Sequence, residues 1–424
     1  MKKQNGSIGF TSYQIFVIVI LALLQFTIIL DFMILSPLGD ILMKKLTMDP
    51  KQFGSVVSAY AISAGISGFL AAGFADKFDR KKLLLFFYAG FVVGTFFCGL
   101  ADTYRSLFLA RMITGVFGGV IGSVSLAIIT DIFNLQQRGR VMGFVQMAFA
   151  GSQILGVPIG LFIAERYGWN YTFYMVVALA VLIGFAIVWR LKPLTAHLSL
   201  QHDKNALQHL WHAVKKRNYR IGFMATALLS MGGFMLMPFT SAFLVNNVHI
   251  PQKQLPLIFL FTGISSMIVM PLIGRISDRI DKFKLFTFGS LVACVMILVY
   301  TNLTPVPLWM VIAINMVLFM GIMSRIVPAS ALNSAVPDMV DKGAYMSINS
   351  SLQQMAGGLA AIFAGLVVSQ PSKTGPIENF NVLGYVMVVL VLLCVYLMGR
   401  VNTVVKRKQE ATKAVNTNHT TNHD

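Results

Sequence analysis

Three ionisable side chains stand inside long apolar runs of this chain, where a charge is costly. Asp31 lies in the first run and Arg111 in a later one, and Arg325 precedes Pro328 by three residues in a third. An ionised side chain in a bilayer costs roughly 3 kcal/mol, so each must be paired, neutralised or turned toward a polar cavity. A carboxylate that gains and loses a proton there can couple proton movement to a second process. We therefore favour a coupling role for Asp31 over a static hydrogen bond that only positions its helix.

Asp31 and Arg111 are expected to lie at the same depth. Arg111 stands six residues beyond Arg105, which is about 9 Å along a helix, and Asp31 is about as far from the corresponding end of its own run. An ion pair, direct or through a main-chain carbonyl of the first helix, would keep Asp31 charged until substrate or helix movement separates the groups. A structural clamp between the two helices is the alternative.

Arg325 leaves two interpretations open. If it faces a central cavity, it favours an anionic substrate. If it is buried among helices, it can bind main-chain carbonyls freed by a kink at Pro328, or pair with Asp338 or Asp278 near the membrane surface. We favour the structural interpretation and keep Arg325 among the candidate cavity residues.

A charged turn occurs twice. Asp76-Lys77-Phe78-Asp79-Arg80-Lys81 returns 202 positions later as Asp278-Arg279-Ile280-Asp281-Lys282-Phe283. Such duplication indicates a membrane protein built from two related halves. We expect the turn to close the inner face by pairing with the end of the fourth or eleventh helix. The candidate gating residues are Asp76, Asp79, Arg80, Lys81, Asp131, Asp278 and Arg279.

The elements that must position these residues follow from hydropathy. Of 424 residues, 56% are hydrophobic and 12% are charged, and the mean hydropathy is +0.72. Runs of about 20 apolar residues predict bilayer-spanning helices, because open strands leave backbone groups unsatisfied in lipid. The fold class is therefore an all-α integral membrane protein. The predicted spans are 14–38, 52–74, 82–101, 105–131, 139–164, 170–192, 219–246, 253–275, 283–303, 306–334, 343–369 and 380–400.

The distribution of charge sets orientation and domains. Basic residues concentrate in turns that all lie on one side if both termini are cytoplasmic. Leu207, Leu210, Trp211 and Val214 predict an interfacial helix between the halves. The predicted organisation is a cytoplasmic tail (1–13), a first six-helix bundle (14–192), a cytoplasmic linker (193–218), a second bundle (219–400) and a disordered cytoplasmic tail (401–424).

Several function classes are excluded by what the chain lacks. The net charge of +18 is spread over turns, which does not predict nucleic-acid binding. Neither a phosphate-binding loop nor a nucleophile constellation is present, so an enzyme or an ATP-driven pump is not expected. The three cysteines have no metal-ligand spacing. We predict no cofactor and no metal.

The duplicated turn resembles the signature turn of the major facilitator superfamily, Gly-x-x-x-Asp-Arg/Lys-x-Gly-Arg-Arg/Lys. Here it reads from Ala72 to Lys81, and the second copy keeps the first glycine as Gly274. The resemblance covers essentially the full chain. It implies twelve transmembrane helices in two six-helix bundles related by a parallel repeat.

Two further stretches resemble the drug/proton antiporter branch of that superfamily. Arg111 and Gly115, followed by Gly118-Gly119, are similar to its intramembrane arginine motif. A second set is similar to its antiporter motif in helix five. The resemblance implies proton coupling through Arg111. The helix-five residues are Gly151, Gly156, Pro158 and Gly160.

These features predict a proton-coupled secondary transporter of the bacterial inner membrane that exports small organic or amphipathic compounds by alternating access. The alternatives are a sugar, amino-acid or organic-anion carrier and, in another class, a lipid flippase or a non-transporting receptor. The expected partners are a small-molecule substrate, protons and the lipid bilayer, with the protein acting as a monomer. Polar and aromatic residues that would line the substrate cavity are Gln146, Gln153, Phe234, Phe239, Asn349, Gln353 and Arg325.

Overall fold

The computed structural model is helical along nearly all of the part that it describes. Described are residues 10–195, 198, 212–338, 341–372 and 375–421, without the side chains of 72, 73, 76, 135, 278 and 411–421. Within them, twelve helices are long and apolar enough to cross a membrane, as the sequence predicted.

The twelve spans are labelled α1 to α12. Two of them are interrupted: α5 contains a π-helical turn, and α7 contains a 3₁₀ turn. They are α1 Ser12–Ile34, α2 Pro50–Phe74, α3 Arg80–Leu100, α4 Tyr104–Ile132, α5 Leu135–Gly151 with Ser152–Gly156 and Val157–Tyr167, α6 Trp169–Arg190, α7 Arg217–Phe234 with Met237–Phe239 and Thr240–Asn246, α8 Leu255–Arg279, α9 Lys282–Thr301, α10 Leu308–Ala335, α11 Lys342–Val367 and α12 Phe380–Thr421.

Local sequence explains where the helices start. At α2, Asp49 accepts a hydrogen bond from the main-chain N–H of Gln52 at 2.7 Å, the Gln52 side chain accepts one from the Asp49 N–H, and Pro50 takes the first helical position. This capping box satisfies donors that a helix end leaves free. Between α5 and α6 the chain turns at Gly168, whose φ of 113° excludes most side chains.

The two bundles, α1–α6 and α7–α12, meet mainly along α2 with α11 and along α5 with α8. Glycines make the approach possible. A Cβ on Gly54 would stand 2.5 Å from the carbonyl oxygen of Ala361, and one on Gly65 would stand 2.8 Å from that of Ser351. Small residues allow such close helix packing where lipid supplies no hydrophobic drive for association.

The interface is closed at one end and open at the other. The closed end lies beside the α1–α2 connection, where Ser241 Oγ donates to the Ser36 carbonyl at 2.8 Å and the rings of Phe53 and Phe239 lie 6.0 Å apart. The open end carries the duplicated turns. There, a Cβ built on four glycines of α5, α8 and α11 would meet no described atom within 4 Å. They are Gly139, Gly143, Gly274 and Gly343.

The region after residue 400 differs from the prediction of a disordered tail. Helix α12 continues through Thr421. Lys406 Nζ lies 3.0 Å from Asp281 Oδ2 and Lys408 Nζ lies 2.9 Å from Asp338 Oδ1, so the extension is held by ion pairs to the second bundle. Polarity alone did not reveal these partners.

The linker between the bundles is only partly described. Of the predicted interfacial helix, Leu207, Leu210 and Trp211 lie outside the described residues. Val214 is described and packs against the apolar core of the second bundle. The ends of α6 and α7 place the linker between Arg190 and Arg217.

Candidate functional site

Asp31 and Arg111 form a buried ion pair in the first bundle. Arg111 Nη1 donates to Asp31 Oδ2 at 2.6 Å and approaches the Asp31 main-chain carbonyl at 3.4 Å. Both side chains are 0% exposed. The other carboxylate oxygen, Oδ1, accepts a hydrogen bond from Thr95 Oγ1 at 3.2 Å. The structure thus contains the direct pair and also the carbonyl approach that the sequence predicted as alternatives.

The remaining face of the Arg111 guanidinium meets an aromatic ring. Its central carbon lies 4.5 Å from the ring centroid of Tyr60, on α2. Among the described residues, Nε and Nη2 of Arg111 have no hydrogen-bond acceptor. The face of the ring attracts a cation, most strongly where water is excluded. The charge of Arg111 is therefore compensated from one side by Asp31 and from the other by Tyr60.

Glycines bring the helices of this site together. On Gly94 of α3, a Cβ would lie 2.6 Å from Thr114 Oγ1 of α4. On Gly115 and Gly119, it would collide with the main chain of Tyr60 and Ala64 on α2. These glycines of α4 therefore allow close packing against α2.

An aromatic row leads from the ion pair to the second bundle. The ring centroids of Tyr60 and Phe32 are 5.5 Å apart, and those of Phe32 and Phe234 are 5.7 Å apart. Phe234 lies on α7, so the last contact crosses the interface. Both phenylalanines line a small cavity of about 10 Å³ between the bundles. Its lining is Phe32, Ser36, Val57, Ala61, Phe234, Met237, Pro238, Gly357 and Ala361.

The duplicated turn has the same backbone in both halves. Asp79 has φ −56° and ψ 122°, and Asp281 has φ −54° and ψ 122°. Each carboxylate caps the following helix: Asp79 accepts from the Lys81 N–H at 2.8 Å and Asp281 accepts from the Phe283 N–H at 2.9 Å. In each copy the next residue is a cation that donates to a carbonyl five positions back. Arg80 and Lys282 are these cations.

Beyond the turn itself, the two halves use different ion pairs. In the first bundle Arg80 Nε donates to Asp131 Oδ2, at the end of α4, at 3.3 Å. In the second, the Lys406 ammonium hydrogen-bonded to Asp281 lowers the pKa of that carboxyl below its usual 3.8. Lys408 lowers the pKa of Asp338 in the same way. The Arg80–Asp131 contact joins the turn to the end of α4, one of the two partners that the sequence predicted, but it lies within the first bundle. Closure of the inner face by the turn stays a prediction.

The other predicted gating residues differ in their surroundings. Lys81 Nζ donates to the Val188 carbonyl of α6 at 3.0 Å. Arg279 is exposed. The side chains of Asp76 and Asp278 lie outside those that the structure describes.

Comparison with known proteins agrees with this architecture. The family model of the Major Facilitator Superfamily matches residues 21–365. The chain belongs to the major facilitator superfamily. It is thus a multi-pass membrane protein whose family and fold are those of transporters rather than enzymes.

Individual relatives within the superfamily are distant. The MFS-type transporter YceJ of Bacillus subtilis is 28% identical over 63% of this chain and 68% of its own length. The multidrug resistance protein fnx1 of Schizosaccharomyces pombe is 33% identical, over 32% of this chain and 26% of its own. A bacterial homologue of the lysosomal transporter Spinster, in an inward-facing unoccupied conformation, matches with a TM-score of 0.75. Its identity is 16%, with 94% of this chain and 99% of that chain covered.

The helix-five residues of this superfamily member pack against α1. A Cβ on Gly156 would lie 2.6 Å from Leu30 Cδ1, and one on Gly160 would lie 2.7 Å from Ile34 Cδ1. Gly151 faces Phe26 at ordinary contact distance. Pro158 follows the π-helical turn that ends at Gly156. The motif therefore sets the α1–α5 contact on both sides of Asp31 along α1.

The predicted polar cavity residues are not all together. Gln146 and Gln353 are exposed, whereas Gln153 is buried beside the α5–α8 contact. Asn349 accepts a hydrogen bond from Thr226 Oγ1 at 2.7 Å, within the second bundle. Phe239 is fully buried against Phe53 at the closed end and does not line the cavity.

Arg325 lies on the side of α10 that faces α9. It is 1% exposed, its Nε donates to Ser290 Oγ at 3.1 Å, and its guanidinium stands 5.7 Å from the Phe286 ring centroid. The expected acid Asp338 pairs with Lys408 instead. These contacts place Arg325 inside the second bundle, as the structural interpretation expects. Among the described side chains it has neither of the predicted partners, a carbonyl near Pro328 or an acid, and the side chain of Asp278 lies outside the described ones. An arginine can be held in a bundle by a hydroxyl and an aromatic face.

One polar cluster of the transporter was missed by sequence reasoning. Asp40, on the short helix Gly39–Lys45, contacts Lys44 of the same helix and Asn246 of α7. Sequence showed only a short polar segment after the first span. The separation of Asp40 and Asn246 by a whole bundle hid their contact.

Proposed function

We propose that this transporter exports small amphipathic compounds in exchange for protons, by alternating access. The observation that supports this most is the fully buried Asp31–Arg111 pair, one aromatic row away from the interface between the bundles. A carboxylate enclosed in this way changes the forces between helices when it takes up a proton, which is the requirement for coupling.

The coupling step rests on charge compensation. While Asp31 is ionised, it holds α1 to α4 through Arg111. Removing one partner of a buried pair costs about 3–5 kcal/mol, because the other charge stays uncompensated. Protonation of Asp31 therefore favours a rearrangement that gives Arg111 a new partner. Tyr60 and Phe32 pass that rearrangement to Phe234 of the second bundle.

The substrate class is inferred from the lining of the interface. Phe32, Phe234 and small apolar residues offer dispersion and ring contacts without a defined set of hydrogen-bond donors. Such surfaces bind varied amphipathic molecules. The local similarity to a multidrug resistance protein supports the same inference.

An organic-anion carrier has less support. Anion transport would be favoured by an Arg325 that faces the cavity. Arg325 contacts Ser290 and Phe286 on α9 instead. A single chain contains both bundles and the ion pair, so we propose that the monomer is the working unit.

Orientation is part of the proposal. The open end carries the basic turns, and basic residues favour the cytoplasmic side. We therefore assign the open end and both termini to the cytoplasm of a bacterial inner membrane. The basic residues at that end include Lys77, Arg80, Lys81, Lys82, Arg138, Arg140, Arg275, Arg279, Lys282, Lys284 and Lys342.

The test is transport in proteoliposomes with an imposed pH gradient and ethidium as the probe. The wild-type protein should move ethidium against its gradient while protons move the other way. Asp31→Asn, nearly isosteric but unable to titrate, should abolish gradient-driven accumulation and leave ethidium binding within about twofold. Asp49→Asn, which changes an exposed carboxylate and keeps a helix cap, is the control. Undiminished accumulation by Asp31→Asn would contradict proton coupling through Asp31, and the absence of ethidium movement by any variant would contradict the substrate class.

A further inference from the structure

A groove lined by three arginines opens between the start of α7 and the extension of α12. Its volume is about 560 Å³. The lining residues are Arg217, Asn218, Ile221, Arg400, Thr403, Val404 and Arg407.

Helical spacing places the arginines on one face. Arg400, Thr403 and Arg407 recur at intervals of three and four along α12, and Arg217 and Ile221 do so on α7, so each set shares a helix face. The two faces oppose each other across the groove. All three arginine side chains are exposed.

The groove lies at the depth of a membrane surface. Arg400 follows directly on the apolar run of α12, and Arg217 is the first residue of α7. One turn deeper, Tyr396 is 63% exposed, and its hydroxyl lies 3.5 Å from Arg400 Nη1. Met224, one turn below Ile221, is 57% exposed. The groove is thus basic at its mouth and apolar on its deeper side.

Three nearby acids are already paired with lysines, whereas Glu410, three residues beyond Arg407, is exposed and forms no ion pair with a described residue. Asp281 binds Lys406, Asp338 binds Lys408, and Lys216 binds Asp341. Within the described part of the chain, Arg217, Arg400 and Arg407 have no carboxylate partner. Three guanidinium groups that converge without an acid repel one another, and a bound anion removes that repulsion.

We infer that this groove binds the phosphate group of an anionic phospholipid from the leaflet at the open end. Guanidinium groups bind phosphate oxygens through paired N–H donors, and basic pockets between transmembrane helices bind lipid headgroups. The apolar side near Met224 and Tyr396 fits an acyl chain, which a free phosphate ion lacks. A bound lipid would fasten the α12 extension to the start of α7, at the point where the linker enters the second bundle.

The test compares lipid retention by native mass spectrometry after purification in a mixture of phosphatidylglycerol and phosphatidylcholine. The triple variant Arg217→Gln, Arg400→Gln, Arg407→Gln is matched by Lys82→Gln, Lys284→Gln, Lys342→Gln. The control removes three exposed charges from the same end, outside the groove. The groove variant should retain at least about tenfold less phosphatidylglycerol. The control should retain the wild-type amount, and phosphatidylcholine should be unchanged in all three proteins.

Two further measurements keep the result interpretable. Arg217→Lys, Arg400→Lys, Arg407→Lys keeps the charges but not the planar donor pairs, so it should fold like wild type and show intermediate retention. Thermal melting in detergent with added inorganic phosphate tests whether a free phosphate ion, and not a lipid headgroup, is the ligand of the groove. Equal stabilisation by inorganic phosphate and by phosphatidylglycerol would overturn the lipid assignment. Equal loss of phosphatidylglycerol in the control, or unchanged retention in the glutamine variant, would overturn the site.

Discussion

Asn246 of the second bundle donates its Nδ2 to Asp40 Oδ1 of the first at 2.6 Å. Lys44 Nζ completes a ring of contacts by donating to Asp40 Oδ2 at 2.7 Å and to Asn246 Oδ1 at 3.1 Å. Asp40 is 4% exposed, so water competes poorly for these bonds. The cluster joins the bundles at the closed end, where they must part if the protein opens there.

Asn246→Ala should weaken this closure. A hydrogen bond to a charged group contributes about 1.5–3 kcal/mol, so the population open at the closed end should rise roughly 10- to 100-fold. Ala61→Cys, in the cavity between the bundles, is the reporter. Its labelling by a membrane-impermeant maleimide from the closed side should accelerate.

The matched control for the closed end is Asp49→Asn. It alters an exposed carboxylate at the same end, and asparagine caps a helix as well as aspartate does. Labelling rates that are the same in Asn246→Ala and in the control would show that the cluster does not hold the bundles together.

Tyr60 should matter through its ring and not through its hydroxyl. Tyr60→Phe keeps the aromatic face over Arg111, whereas Tyr60→Leu removes a cation–π contact worth about 2 kcal/mol in a desolvated site. We expect near wild-type melting temperature and ethidium transport for Tyr60→Phe, and lower values of both for Tyr60→Leu. Equal behaviour of the two variants would exclude the ring as a partner of Arg111.

Arg325→Gln should lower the melting temperature and leave the ratio of anionic to neutral ligand affinity unchanged. The substitution breaks the bond to Ser290 and the contact with the Phe286 ring, both inside the second bundle. Arg325→Met, of similar length and without charge, should be more stable than Arg325→Gln, because it leaves no polar group unpaired. Selective loss of anion binding at unchanged melting temperature would instead place Arg325 in the substrate site.

The ion pairs of the α12 extension predict an acid-dependent stability. Hydrogen bonds from Lys406 and Lys408 lower the pKa values of Asp281 and Asp338. Their contribution is therefore fully present above the ordinary carboxyl pKa of about 4 and is lost as pH falls through the lowered values. Because the groups are partly exposed, each pair contributes under about 1 kcal/mol.

Lys406→Met, Lys408→Met measures this contribution. At neutral pH the double variant should melt slightly below wild type. At a pH below the lowered carboxyl pKa values, the difference should vanish because the carboxyls are neutral in both proteins. A difference that is independent of pH would assign the loss to packing.

The sequence by itself determined the spans, the two halves and the central pair. Twelve apolar runs of membrane-spanning length are sufficient to predict twelve helices, because a lipid-exposed backbone must form its hydrogen bonds within its own helix. The repeated turn indicates two related halves because it depends only on local contacts. Asp79 and Asp281 each cap a helix that starts at the next residue. The pairing of Asp31 with Arg111 could be predicted because the rise per residue of a helix gives the depth of each side chain in the membrane. Opposite charges at the same depth in lipid attract each other.

Only the tertiary structure decided which faces meet. Arg325 reached Ser290 and Phe286, Asn349 reached Thr226, and Asp40 reached Asn246. The rotation of a helix about its axis depends on its neighbours, and an apolar all-round pattern does not reveal it. The same limit hid the arginine groove, because its two walls lie almost a whole bundle apart in sequence. The sequence gives the depth of a residue in the membrane and the chemistry of its local turn. The direction in which a side chain points around its helix, and the side chain it contacts, are set by packing.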